Sequence, residues 1–130
     1  MENTVRWQER FEIFCRKLSQ LETTLQKKDF SDLEKDGVIK RFEFTFELAW
    51  KTLQDKLNDE GYIDIKGPKP VIKQSFQDGT IANGQKWIEM FTDRNSSSHS
   101  YDESAAQEIF DRIQTNWFKL LTDLKKKLQE

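Results

Sequence analysis

Ile39-Lys40-Arg41-Phe42-Glu43-Phe44-Thr45-Phe46-Glu47-Leu48-Ala49-Trp50-Lys51-Thr52-Leu53 decides the fold. Phe42, Phe46, Ala49, Trp50 and Leu53, continued by Leu57, form one apolar face at helical spacing. Phe44 and Leu48 lie off that face. A helix that is apolar on more than one side is central in its domain or shared with a second copy. Ser31 with Glu34 fits a capping box, so this helix starts at Asp32 or Leu33. Gly61 is placed to stop it after Glu60, and Gly37 marks a loose first turn.

Outward from this helix, the remaining segments are also helical. Trp7, Phe11, Phe14, Leu18, Leu21 and Leu25 step by four and three, which predicts a first helix over 3–28 with one narrow apolar stripe. Residues 62–69 form a connector: Tyr62-Ile63-Asp64-Ile65 alternates but has no partner strand. A short helix follows over 70–77, opened by Pro70, where the missing N–H costs nothing. Val71, Ile72 and Phe76 give it an apolar face. Asn83 can cap a fourth helix over 84–96, with Trp87, Ile88, Met90 and Phe91 inward. Ser100 with Glu103, or Asp102 in its place, can cap a last helix over 102–128. Its apolar residues run from Ala106 through Ile109, Phe110, Ile113, Trp117, Leu120, Leu121 and Leu124 to Leu128. Lys125-Lys126-Lys127 suits the negative pole of that helix. The expected architecture is all-α, an up-and-down helical bundle of four main helices plus one short helix.

At 130 residues the chain is expected to form one domain, residues 1–130. A net charge of −2 gives no general attraction to nucleic acid, so any RNA contact must be local. The single Cys15 cannot form an internal disulfide, which fits a reducing cytoplasm. No signal peptide and no membrane-spanning run is recognisable, so a cytoplasmic location away from membranes is expected. One His and one Cys far apart do not make a zinc site. No Gly-rich phosphate loop is present. No metal and no cofactor is expected. Glu43 and Glu47 share a helical face, but lysines and Arg41 flank them, and an ion-paired surface is the expected outcome.

One stretch is dense in reactive groups: Arg94-Asn95-Ser96-Ser97-Ser98-His99-Ser100-Tyr101, which contains the only histidine. Arginine matches phosphate oxygens with a fixed fork of donors. Histidine exchanges protons near neutral pH. Beside a phosphodiester these suit metal-independent RNA cleavage: the 2′-hydroxyl loses a proton, the phosphate gains charge and the departing 5′-oxygen takes a proton. One His serves as base or as acid, and two symmetry-related sites would supply both, which favours a homodimer. On a continuous α-helix, residues five apart lie about 140° apart around the axis. The serine run is therefore expected to end or loosen the helix, so that Arg94 and His99 reach one cleft. The plainer alternative is a hydrogen-bonded helix-end histidine and an Arg94 paired with Asp93 or Asp102.

Arg94-x4-His99-x-Tyr101, with Asn95 after the arginine, resembles the R-x4-H-x-Y signature of HepT-type HEPN domains. More closely, the chain is similar to the nucleotidyltransferase substrate-binding protein family. Arg41 to Leu53 of the central helix quoted above carries that similarity. It continues in order through Pro70-Val71-Ile72-Lys73-Gln74-Ser75-Phe76, Trp87-Ile88-Glu89-Met90, Asp93-Arg94-Asn95 and His99-Ser100-Tyr101-Asp102. The resemblance implies an HEPN-like bundle, a homodimer and a small nucleotidyltransferase partner encoded nearby. It also implies a toxin that cleaves RNA and is neutralised by that partner. Arg94 and His99 would be the catalytic pair, Tyr101 the modified or regulatory position and Asn95 a supporting polar residue. The alternatives of another class are a non-catalytic subunit that presents substrate or nucleotide to the transferase, and a helical dimer with only a structural role.

Overall fold

Ser31 opens the central helix with both halves of the expected capping box. Its hydroxyl accepts from the Glu34 N–H, and the Glu34 carboxylate accepts from the Ser31 N–H. In the computed structural model, residues 2–99 and 102–130 are described, with backbone alone for 2–5, 98 and 99. Helix α1 spans Glu2–Leu25, α2 Asp32–Asp59, α3 Pro68–Gln77 and α4 Gly84–His99. A final rod comprises α5 (Glu103–Arg112), a π-turn (Ile113–Trp117) and α6 (Phe118–Leu128). The described residues are therefore all-α: four long members and the short α3.

Helix α2 is the hub, in contact with α1, α3, α4 and α5. Phe42, Phe46, Ala49, Leu53 and Leu57 are buried on its main face. Phe46 stacks on Phe91 with ring centres 6.1 Å apart and lies as close to Trp87, which locks α4 against α2. Helix α1 contributes Phe14, Leu18 and Leu21 to the core, and the last rod contributes Ile109, Phe110, Ile113, Trp117, Leu121 and Leu124. Arg41 ties α2 to α1 by donating to the Gln20 carbonyl and the Thr24 hydroxyl. Of the two apolar residues off the main face, Leu48 is half-buried and Phe44 is 57% exposed.

Several details differ from the sequence-based expectation. Helix α1 stops at Leu25, before its polar tail. Helix α3 begins two residues early, at Pro68, after Gly67 turns the chain with φ 88°. Trp50 packs against the core but is only half-buried, and it donates its indole N–H to Glu47. Phe76 is 51% exposed and instead lies over Gly84, where a Cβ would meet its ring carbon at 2.8 Å. Asp102 caps α5, accepting from the Ser104 N–H. Ser100, the rival cap, lies outside the described residues.

The largest local difference is the π-turn. Phe118 N–H reaches back five residues to the Ile113 carbonyl. In a regular α-helix Arg112 and Trp117 would point about 140° apart. The wider turn brings both onto a single carboxylate of α4, Asp93.

Candidate functional site

Helix α4 carries the candidate site, and its neighbouring residues Asp93 and Arg94 face different partners. Asp93 is only 8% exposed. It accepts from Arg112 Nε at 2.7 Å, Arg112 Nη2 at 2.9 Å and Trp117 Nε1 at 2.8 Å. Two parallel bonds from a guanidinium plus a buried indole donor satisfy this carboxylate and fix α4 to the last rod. The Asp93 carboxylate in turn pushes Arg112 above the usual guanidinium range.

Arg94 turns the other way, toward α2. Its Nη2 lies 3.1 Å from Glu47 Oε2, and both side chains are partly exposed. Asp93, one of the alternative partners expected for it, is instead taken up by Arg112 and Trp117. The other oxygen of Glu47 accepts from the Trp50 indole at 3.1 Å, and Lys51 stands 4.0 Å away. One turn further along α4, the Ser97 hydroxyl bonds Glu43, which is 8% exposed and also lies 3.3 Å from Lys40. Arg94 and Ser97 thus rise along α4 while Glu47 and Glu43 descend along α2. The two helices run antiparallel, and the pairs form successive rungs between them.

The serine run does not end the helix. Backbone helix continues through Ser96, Ser97 and Ser98 to His99. Ser97 explains why the expected break is absent: its hydroxyl meets both Glu43 and the Arg94 carbonyl, 2.9 Å away, three residues back in its own helix. Bonded back onto its own preceding turn and across to Glu43, the hydroxyl is satisfied with the helix intact. Along this continuous helix the Cα positions of Arg94 and His99 are turned about 140° from each other. Asn95 is exposed on the next position round. The His99 side chain and all of Tyr101 lie outside the described residues.

The pair of carboxylates on α2 was legible only as an ion-paired surface. Ion pairing is correct, but Glu43 is buried and Glu47 is the direct holder of Arg94. A usable signal was the spacing: acceptors four apart on one helix facing donors three apart on another. A hollow of about 270 Å³ opens beside this seam, between Glu43 and Ser97 on one side and Ala106 and Ile109 on the other. Among the described residues no group of three or more acidic, His or Cys side chains could hold a metal ion. No helix of the described residues is long and apolar enough to cross a membrane.

Comparison with known proteins places this geometry in a family. A "Probable ribonuclease HepT" of Haemophilus influenzae is 32% identical over 82 residues, which cover 59% of this chain and 56% of that protein. The matched part thus spans little more than half the length of that relative. A solved structure from Thermus thermophilus superposes with a TM-score of 0.82 at 29% identity, over 90% of this chain and 99% of the other. A Haemophilus influenzae structure, described as the fold of a substrate binding domain of a nucleotidyltransferase, superposes with a TM-score of 0.80. It is 22% identical and covers 92% of this chain and 99% of its own, so it shows a shared fold. Residues 9–130 match the family described as nucleotidyltransferase substrate binding protein like, and with nearly the whole chain inside that match the protein belongs to this family.

Proposed function

We propose that the chain is a HepT-like HEPN toxin component that cleaves RNA without a metal, acting as a single HEPN-like domain over 1–130. Arg94 binds the scissile phosphate and stabilises its added charge. His99 moves the proton, Asn95 supports the site and Tyr101 is the regulatory position. The protein works in the cytoplasm as a homodimer. A small nucleotidyltransferase encoded nearby neutralises it. The observation that carries this reading is the half-exposed Arg94 guanidinium, oriented by Glu47 five residues ahead of the only histidine. The relative named as a probable ribonuclease HepT supports it.

The continuous helix sharpens the need for two chains. The Cα positions of Arg94 and His99 lie about 140° apart around α4, and a single imidazole supplies base or acid but not both. Two copies of α4 meeting across a two-fold axis would complete both roles. The test is expression of wild type and His99→Ala, each with and without the partner transferase, followed by RNA cleavage with the purified proteins. Growth arrest and cleavage by wild type alone, both abolished in a folded His99→Ala protein, are expected. A wild type that neither cleaves RNA nor arrests growth without its partner refutes the toxin reading.

One observation favours a second reading. Arg94 already faces a carboxylate, and a guanidinium so neutralised suits a subunit that presents nucleotide or substrate to the transferase without reacting itself. That protein would bind nucleotide or transferase and show no activity alone.

A further inference from the structure

A second hollow, of about 390 Å³, lies between α1 and α2 and is lined by Lys17, Gln20, Gly37, Lys40, Arg41 and Phe44. Three of these six are cations and none is acidic. Neither Lys17 nor Arg41 is ion-paired with a carboxylate among the described residues. Lys40 does approach a carboxylate, Glu43, at 3.3 Å, but Glu43 and Asp36 line the neighbouring hollow. Arg41 is held in place by α1 through the Gln20 carbonyl and the Thr24 hydroxyl. Phe44 stands over the hollow with more than half its surface exposed.

Gly37 is the second unusual feature. It sits inside α2, where glycine costs about 1 kcal/mol relative to alanine. No left-handed backbone requires it, and a Cβ there would meet nothing within 4 Å. Folding thus gains nothing from this glycine, whereas the hollow gains an open floor. Lys40 lines both this hollow and the neighbouring one beside Glu43 and Ser97, so the two adjoin at that side chain.

We infer that the Lys17–Lys40–Arg41 hollow is a binding groove for single-stranded RNA, with phosphates on the cations and a base stacked on Phe44. This inference rests on the proposed RNA reading and extends it to a strand-holding subsite away from Arg94. Cations that follow a backbone beside an exposed aromatic ring are the pattern by which single strands are held without sequence preference. It also answers how a chain of net charge −2 would hold RNA: the positive charge is local. A second copy of the chain fits less well, because an isologous contact at this patch would set its cations against themselves.

The test uses the full chain in a His99→Ala background, with a fluorescein-labelled oligouridine and anisotropy measured across a salt series. Gly37→Gln fills the floor at a position with open space around it and should weaken binding about tenfold, with Gly37→Ala intermediate. Lys17→Gln should reduce the slope of log affinity against log salt by about 0.7 if it neutralises one phosphate of a single strand. Circular dichroism confirms the helix content of each variant, and Gly37→Ala keeps the test open should the larger residue unfold the chain. Unchanged affinity and slope in all three variants overturn the groove. A Gly37→Gln protein that changes oligomeric state with RNA absent also overturns it and assigns the hollow to a contact between chains. If wild type binds through the groove but cleaves nothing, the groove stands and the catalytic reading falls. If wild type cleaves while the variants bind normally, the reverse holds.

Discussion

Replacing Asp93 by alanine tests whether the carboxylate shared by Arg112 and Trp117 anchors α4. The substitution removes one acceptor and strands two donors of different kinds. Trp117 is 1% exposed, so its indole N–H has no route to water; leaving such a donor unsatisfied costs about 1–3 kcal/mol. The Arg112 side chain is 40% exposed and rehydrates, so its lost bonds contribute only about 1 kcal/mol. Together these give about 3 kcal/mol. For 130 residues the entropy of unfolding is about 0.27 kcal/mol/K, so Tm should fall by about 10 °C. Thermal and urea unfolding followed by circular dichroism measure this directly. Trp117→Phe keeps an aromatic ring but removes the donor, so it should rescue part of the loss when combined with Asp93→Ala. The double variant should be about 1–2 kcal/mol more stable than additivity allows. A fall in Tm of no more than about 2 °C, the scale of an ordinary surface change, would refute the anchoring argument. Strict additivity of the two substitutions would refute the shared-carboxylate part of it.

Two further outcomes follow from the same geometry. Glu47→Gln leaves a similar shape but no charge opposite Arg94; because both side chains are partly exposed, stability should change by less than about 1 kcal/mol. RNA cleavage should nevertheless fall, chiefly in kcat, and a kcat equal to wild type would remove Glu47 from any role in orienting Arg94. Glu34 is held at a pKa of about 2, first by the Lys27 ammonium and then by the Ser31 N–H. A lowered carboxylate pKa stabilises the fold above the ordinary value of 4.5, and that stabilisation is lost as pH falls toward 2. The stability advantage of wild type over Glu34→Gln should therefore be constant near neutral pH and vanish across that acid window. A pH-independent difference between the two proteins would show that the charge of Glu34 does not contribute.

What the sequence reveals here follows from the range of each interaction. The α2 cap, its inward face and the phase of the last rod are local patterns, and they appear in the structure where periodicity puts them. The π-turn is not local. Ile109, Ile113, Trp117 and Leu121 step as in an ordinary helix, and only Asp93, on another helix, explains why the turn widens. The continuation of α4 through its serines has the same origin, since Ser97 finds its acceptor in Glu43, 54 positions earlier. Phe76 carried the signal of a core residue, but the backbone of Gly84 passes beneath it. For the candidate site, the reactive residue types were visible in the chain, whereas the holder of Arg94 was not. Glu47 among lysines reads as solvated surface until the α2–α4 seam brings an arginine to it.

Adjacent residues on a helix point about 100° apart, and on α4 two adjacent residues are tethered to different neighbours. Asp93 pulls toward the last rod and Arg94 toward the central helix, so a twist of α4 about its own axis loosens one tether as it crowds the other. The helix therefore has one favoured rotational setting, fixed before any ligand arrives. Such a mount lowers the reorganisation a bound phosphate would demand. It also removes any hinge at this point, so heat should disable Arg94 together with the collapse of the whole bundle rather than ahead of it.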